Sequence, residues 1–194
     1  DVVFPVLHGE NGEDGAMQGL LQMAGIPYVG AQVSASAVAM DKTLTKLVMD
    51  NAGITQADWL LVRSSALREN MDQIIKDVEG KFSYPVFVKP AGTGSSVGVS
   101  KAANREQLSA ALLNAGRYDE KILVEEFIDG IEVEVAVLGN NDPIASVAGE
   151  IDAGAEFYDY DAKYVSDTSV AYIPARIPEN VAESVRKTAV QVYK

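Results

Sequence analysis

A lysine next to a loop of glycines and hydroxyls is the first feature of this sequence that could do chemistry. The short apolar run 85–88 is typical of a buried strand, and Lys89 follows at its end. The loop after it combines glycines with serines: Gly92, Gly94, Ser95, Ser96 and Gly98. Because glycines let several backbone N–H groups point at one anion, and serines add hydroxyl donors, this segment predicts a polyphosphate site.

The loop matches neither of the two common phosphate-binding motifs. It lacks the Gly-Lys-Ser/Thr that a P-loop places after its first glycine. The dinucleotide fingerprint needs its third glycine where this sequence has Val97, and Gly98 comes one residue too late. A glycine-rich surface turn with a solvated lysine remains an alternative when the loop is taken alone.

Three further features fit the same nucleotide site. Lys42 stands at a predicted helix start, in Met40-Asp-Lys42. The segment Glu125-Glu-Phe-Ile128 connects two β-regions, and its backbone edge could recognise adenine, while Glu132 could hold ribose hydroxyls. Each has a simpler alternative, a helix-surface lysine or an acidic hairpin edge. The features follow one another along the chain in the order expected for residues of a single nucleotide-binding cleft.

His8, the single histidine, precedes a predicted helix. Free N–H groups at a helix N-terminus favour an anion such as a carboxylate, so His8 is a candidate for substrate binding. A loop or capping histidine is the alternative. Glu13 and Asp14 also match acids of a first helical turn, and that role suits Asp14 best.

Composition narrows the classes of partner. The chain has 194 residues and a net charge of −12, which argues against a nucleic-acid surface. It has no cysteine, which fits a reducing compartment, and no apolar run long enough to cross a bilayer. It opens on Asp1 without a signal peptide, so we expect a cytoplasmic protein whose true start lies upstream.

The predicted elements alternate between strands and helices. Strands at 2–7 and 26–30 flank a helix at 16–24, a β-α-β pattern that implies a parallel sheet. Asp41 is a predicted cap for a helix that ends near Gly53, and Asn104 for one that ends near Gly116. The remaining elements are strands at 59–62, 121–127, 131–138 and 144–151, helices at 67–80 and 181–192, and a long loop at 152–167.

Four motifs together resemble the D-alanine–D-alanine ligases of the ATP-grasp superfamily. They are His8-Gly-x-x-Gly-Glu-Asp-Gly15, Ser36-Ala-x-Ala-Met-Asp-Lys42, Val88-Lys-Pro-x-x-x-Gly-Ser-Ser-Val-Gly98 and Phe157-Tyr-Asp-Tyr-Asp-Ala-Lys-Tyr164. The resemblance implies an α/β fold, which is α+β in the grasp. The chain would begin with the end of an N-terminal parallel-sheet domain and continue with an ATP-grasp fold, and it would be truncated at both ends. The expected parts are residues 1–34, 35–125 and 126–194, the last with a lid loop at 152–170.

The resemblance also implies a role for each motif residue. Lys42 and Lys89 would contact the phosphates of ATP, and Ser96 would lie in the flap over them. Ser95 and Tyr164 match a serine and a tyrosine that orient substrate and close the lid. His8 would hold the first D-alanine, with Glu13 also in the substrate site. The other implied ATP contacts are Glu125, Glu126, Phe127 and Ile128 at the adenine, Glu132 at the ribose and Lys163 at the γ-phosphate.

The implied activity is ATP-dependent joining of two D-alanines through a D-alanyl phosphate, for peptidoglycan precursors. Mg²⁺ is expected, with ligands C-terminal to this chain, so the 194 residues alone should be inactive. A cytoplasmic homodimer is expected, with neither a nucleic-acid nor a membrane partner. A D-alanine–D-lactate ligase and a non-catalytic ATP-binding regulatory module remain alternatives.

Replacing Tyr164 by Phe should slow turnover in the encoded protein, because the lid loses one hydroxyl that closes it. Loss of one hydrogen bond predicts a decrease in kcat of about tenfold. Steady-state kinetics with D-alanine would measure it, and unchanged kinetics would count against this role of Tyr164.

Overall fold

Residues 1–152 and 169–194 are described by a computed structural model. They belong to two compact units, Asp1–Ile128 and Asp129–Lys194. The division into three parts at residues 34 and 125 stays a prediction. Within the described ranges, no helix combines the length and the apolar character needed to cross a membrane.

The first residues form one helix and a single parallel bridge. Helix α1 spans Ala16–Met23. The Asp14 carboxylate accepts hydrogen bonds from the N–H groups of Ala16 (2.9 Å) and Asn11 (2.8 Å). These bonds, that from Ala16 first, hold the pKa of Asp14 below its usual value. Asp14 is therefore not an acid of the first turn, contrary to expectation: it precedes the N-cap residue Gly15 and binds the first N–H of the helix.

The predicted strands at 2–7 and 26–30 are wrong in extent. Only Val3 and Tyr28 form a parallel bridge, as the β-α-β pattern required. Phe4 and Val6 are 71% and 70% exposed. An apolar run becomes a buried strand only when neighbouring strands cover it, and residues 1–152 and 169–194 supply one bridge here.

Two consecutive helices follow. Helix α2, Val33–Met40, was not predicted, because its small residues show no amphipathic period. Helix α3, Lys42–Asn51, begins at the predicted cap: Asp41 accepts from the N–H groups of Thr43 (3.0 Å) and Leu44 (3.2 Å). The other carboxylate oxygen of Asp41 pairs with Lys121.

The main sheet of the first unit has four antiparallel strands in the order β1-β4-β2-β3. The strands are β1 Trp59–Arg63, β2 Val86–Pro90, β3 Ser100–Ala102 and β4 Lys121–Glu126. Helix α4 spans Leu67–Lys81, after a short 3₁₀ turn, and α5 spans Arg105–Ala115, capped by Asn104 as predicted.

The two faces of this sheet differ in character, because side chains alternate along each strand. On one face Val88, Ile122 and Val124 are fully buried with residues of α4 and α5, including Leu112. The other face bears Glu125 and contacts α3. The apolar face fixes the sheet and leaves the second face available for charged groups.

The described residues of the second unit, 129–152 and 169–194, form short strands and one long helix. Strands β5 Glu132–Glu134, β8 Gly149–Asp152 and β9 Val170–Tyr172 form one sheet in the order β5-β8-β9. Strands β6 Val137–Leu138 and β7 Ile144–Ala145 pair separately, and helix α6 spans Glu179–Tyr193. The predicted strands at 131–138 and 144–151 pair as expected, but each is interrupted. At the interruption Ala136 N–H donates to the Ser146 hydroxyl (3.1 Å) rather than to a backbone carbonyl.

The core face can be tested with two neighbouring leucines of α5. Leu112 is fully buried and Leu113 is 53% exposed. We expect Leu112→Ala to lower the free energy of unfolding by about 2–4 kcal/mol, because it leaves a cavity in the core. Leu113→Ala should change it by less than about 1 kcal/mol.

Urea unfolding followed by the fluorescence of Trp59, the only tryptophan, would measure both variants. Equal losses in the two variants would contradict this assignment of the core.

Candidate functional site

A buried carboxylate lies at the centre of the charged sheet face. Glu125 of β4 is only 7% exposed. Its Oε1 is 2.6 Å from Nζ of Lys46 on α3, and its Oε2 contacts Nζ of Lys89 on β2. Lys46 Nζ also donates to the carbonyl of Ala57 (3.0 Å). One carboxylate therefore connects a helix and two strands.

The charge of Glu125 is set by two opposing effects. Burial raises its pKa, but the ammonium groups of Lys89 and Lys46 lower it by more, so the net pKa lies below its usual value. Glu125 is therefore ionised at neutral pH. The sequence drew attention to Glu125 but not to Lys46, since a lysine in a helix is ordinarily a surface residue.

Lys89 was predicted at the end of its strand, and the structure corrects this. Strand β2 continues to Pro90, and Lys89 lies opposite Leu123. The alternation of the strand places Lys89 on the face of Phe87, whose ring centroid is 5.5 Å from Lys89 Nζ. The Lys89 side chain is 28% exposed. It is thus within reach of a ligand on this face.

The same face collects further cations. Residues paired across strands project to the same side of a sheet. Lys101 lies opposite Phe87, and Arg63 lies opposite Lys121. Besides the acidic Glu125, this face bears one cationic side chain from each of the four strands: Arg63, Lys89, Lys101 and Lys121. In a chain of net charge −12, this face has the donors that a polyphosphate requires.

The predicted phosphate loop is anchored at its base. Lys42 N–H donates to the carbonyl of Ala91 (3.0 Å), and Lys42 Nζ donates to the carbonyl of Thr93 (2.5 Å). The Asp119 carboxylate accepts from the N–H groups of Gly92 (2.6 Å) and Lys121 (2.9 Å). Lys42 thus contacts the base of this loop, and its contact with the phosphates of ATP stays a prediction. Asp119 was missed, because an aspartate before a strand is common in turns.

The middle of the loop holds two serines in an uncommon backbone conformation. Ser95 and Ser96 have φ of 51° and 58°, in the left-handed region. Turns stabilise it: Val97 N–H donates to the carbonyl of Gly94 (3.1 Å) and Val99 N–H to that of Ser96 (3.2 Å). Such strain is typical of ligand-binding loops. The assignment of Ser95 and Ser96 to a flap over the phosphates stays a prediction.

The loop that contains His8 meets the phosphate loop. A Cβ added to Gly94 would lie 3.0 Å from Cα of Gly9 and 3.6 Å from Oε2 of Glu13. Glu13 Oε2 in turn accepts from Gly9 N–H (2.5 Å). Glu13 therefore holds the His8 loop at this contact, and His8 itself is exposed. Two motifs far apart in the sequence are adjacent in space.

In the connector after β4, one side chain is held by a hydrogen bond and the residues that follow are accessible to a ligand. Glu126 Oε1 accepts from Asp58 N–H (2.8 Å), so its side chain fixes the segment before β1. The Phe127 ring lies 6.1 Å from that of Phe87, and Lys101 Nζ lies 4.5 Å from its centroid. Ile128 is 63% exposed. An aromatic pair with a cation above it is suited to a planar, electron-rich ligand.

Three predicted residues lie outside the first unit or outside the described residues. Glu132 lies on β5 of the second unit. Lys163 and Tyr164 fall outside the described residues. Over 1–152 and 169–194, no group of three or more His, Asp or Glu side chains could hold a metal ion.

The anchor at Asp119 leads to a direct test. Asp119→Ala removes the acceptor of Gly92 N–H, so amide hydrogen exchange at residues 91–98 should become about threefold to tenfold faster. Mass spectrometry of a peptide covering the loop would measure the rate.

Glu120→Ala is the matched control, because Glu120 accepts from the hydroxyls of Ser64 and Ser65 and does not contact the loop. If both variants accelerate exchange equally, Asp119 is not the anchor of the loop.

The chain matches family models and relatives with known names. The family model described as "D-ala D-ala ligase C-terminus" matches residues 48–194, and the one described as "D-ala D-ala ligase N-terminus" matches residues 1–31. Proteins named D-alanine–D-alanine ligase from Acetivibrio thermocellus and Chlorobaculum tepidum are 57% and 53% identical over the whole chain. The chain spans about half of their length, 52% and 53%.

Solved structures show the same fold over the whole chain. A D-Ala:D-Ser ligase from Enterococcus faecalis matches with a TM-score of 0.86 at 39% identity, over 55% of its own length. The D-alanine–D-alanine ligase from Coxiella burnetii matches with a TM-score of 0.78 at 36% identity, over 50% of its length. These matches confirm the predicted fold class. The chain belongs to the D-alanine–D-alanine ligase family.

Proposed function

We propose that the encoded protein is an ATP-dependent D-alanine–D-alanine ligase that forms ADP and supplies a peptidoglycan precursor. The observation that supports this most is the contact of the phosphate loop with the His8 loop at Gly94 and Gly9. It brings the residues expected to bind phosphate next to the residue expected to bind the first D-alanine. A reaction between a carboxylate and a γ-phosphate needs this proximity.

The chemistry explains the cations. A carboxylate does not acylate an amine at neutral pH without activation, so the first D-alanine would be converted to D-alanyl phosphate. The amine of the second D-alanine would then displace phosphate. Negative charge develops on the transferred group, and Lys42, Lys89 and loop amides are suited to stabilise it. The acyl phosphate must also be protected from water, which is the role proposed for the lid loop at 152–170.

The remaining contacts of the proposed site follow from the family's motifs. Ser95 and Tyr164 would orient substrate, with Ser96 in the flap, and His8 and Glu13 would lie at the first D-alanine. The other proposed ATP contacts are Glu125, Glu126, Phe127, Ile128, Glu132 and Lys163. The rings of Phe127 and Phe87, tilted by 35° to each other, support an adenine position there, because an aromatic ring can pack against a flat base.

Mg²⁺, the oligomeric state and the compartment complete the proposal. Mg²⁺ would neutralise charge on the phosphates, and its ligands are expected C-terminal to this chain. A cytoplasmic homodimer is proposed from the family resemblance.

A second candidate substrate is suggested by one comparison. The structure from Enterococcus faecalis is of a ligase for D-Ala and D-Ser. D-serine is therefore included, like D-lactate, as an alternative second substrate in the experiment below. The relatives at 48–57% identity are all named D-alanine–D-alanine ligases, which favours D-alanine.

Phosphate release from Mg·ATP by the encoded protein tests the proposal, with product mass as the second readout. D-alanine alone should give release and the mass of D-alanyl-D-alanine, whereas L-alanine should give neither. Addition of D-serine or D-lactate should leave D-alanyl-D-alanine the main product. ATP binding without release under any condition would instead support a regulatory module.

A further inference from the structure

We propose that Lys46 is a positioning residue, the fixed counter-ion that keeps Glu125 paired when Lys89 moves to a nucleotide phosphate. This rests on the proposed function, since it takes Lys89 as a ligand of the nucleotide. Lys46 itself need not contact the nucleotide. Its role is to make Lys89 available.

The two lysines contact different atoms of the same carboxylate. Lys46 lies on Oε1 and Lys89 on Oε2 of Glu125. Departure of Lys89 therefore leaves the Lys46 contact intact. A single shared oxygen would not permit this separation.

The surroundings make one lysine fixed and the other mobile. Lys46 is 12% exposed, and its ammonium is also held by the Ala57 carbonyl at 3.0 Å. The Lys46 carbonyl accepts from Gln56 Nε2 (2.8 Å), so the segment before β1 holds this turn of the helix as well. Lys89 is 28% exposed and lies beside the Phe87 ring. Only Lys89 can exchange partners without opening the structure.

The energetics explain why two cations are needed. A buried carboxylate that loses its last partner is strongly destabilised. With Lys46 present, transfer of Lys89 still leaves Glu125 paired. Without Lys46, Lys89 would be the sole partner of Glu125, and the nucleotide would compete with that carboxylate for it.

The competition has a distinctive pH dependence. Among the described residues, the charged groups that face Glu125 are Lys46 from α3 and Lys89 from β2, while Trp59 faces it from β1. On β4 itself, Lys121 is paired with Asp41. In a Lys46→Met protein, Glu125 would be paired with Lys89 before the nucleotide binds and would be unpaired once it is bound. Binding would then raise the pKa of Glu125 and take up a proton, so affinity should fall as pH rises.

The test is calorimetric titration of the encoded protein with Mg·ATP. Lys46→Met should weaken binding by about tenfold or more in the parent protein. In a Glu125→Gln background the same substitution should weaken it by less than about threefold, because no buried carboxylate remains to be paired. Relative to the parent, affinity of Lys46→Met should fall by up to about tenfold between pH 7 and 8.5.

The control is Lys187→Met, which removes a lysine that is 74% exposed and should leave binding unchanged. Equal losses in both backgrounds, or no extra pH dependence, would overturn the role of Lys46. If Lys46→Met does not fold, the double variant is compared with Glu125→Gln alone: similar affinities support the proposal, and a tenfold loss overturns it. A parent protein that binds no Mg·ATP would overturn the proposed function, and this inference with it.

Discussion

The buried carboxylate of Glu125, held between two ammonium groups, is the interaction on which the charged side of the first unit depends. It joins α3 to β4 through Lys46, and β4 to β2 through Lys89. An ionised group at 7% exposure is tolerated because both of its oxygens are paired. Its position is in turn fixed by the opposite face of the sheet, where Val88 and Val124 are fully buried. The apolar core thus allows charge to be concentrated on one surface.

The cations of the site already have oxygen partners within the protein. Lys42 is bonded to the carbonyl of Thr93, and Lys89 to Glu125. A phosphate that enters would replace these oxygens with its own. Because the exchange is between similar partners, little rearrangement of the backbone is needed. Asp119 and Lys46 would keep their contacts during this exchange. In the loop as in the sheet, a fixed side chain thus lies beside a lysine that changes partner.

The features that could be predicted from the sequence are those determined by residues close to one another in the chain. Asp41 and Asn104 cap helices through their own side chains, so both helix starts are visible in the sequence. The glycine and serine pattern indicated the loop at 91–98, while its role as a phosphate site stays a prediction. The motif residues also indicated the family, which the comparisons confirm.

The parts that were missed depend on contacts distant in the chain. Lys46 is distinguished from a surface lysine only by Glu125, and Asp119 from a turn residue only by Gly92. The run at 2–7 has the composition of a buried strand, but burial depends on its neighbours. Helix α2 has no amphipathic pattern that could reveal it. For Lys46, Asp119 and the run at 2–7, a partner distant in the chain decides the outcome.

The most direct measurement is a crystal structure of the encoded protein with Mg²⁺ and a non-hydrolysable ATP analogue. The account predicts that Lys46 Nζ stays within about 3 Å of Glu125 Oε1. It also predicts that Lys89 Nζ leaves Glu125 and binds a phosphate oxygen. A structure in which Lys89 remains bonded to Glu125 with nucleotide present, or in which Lys46 has left the carboxylate, would contradict it.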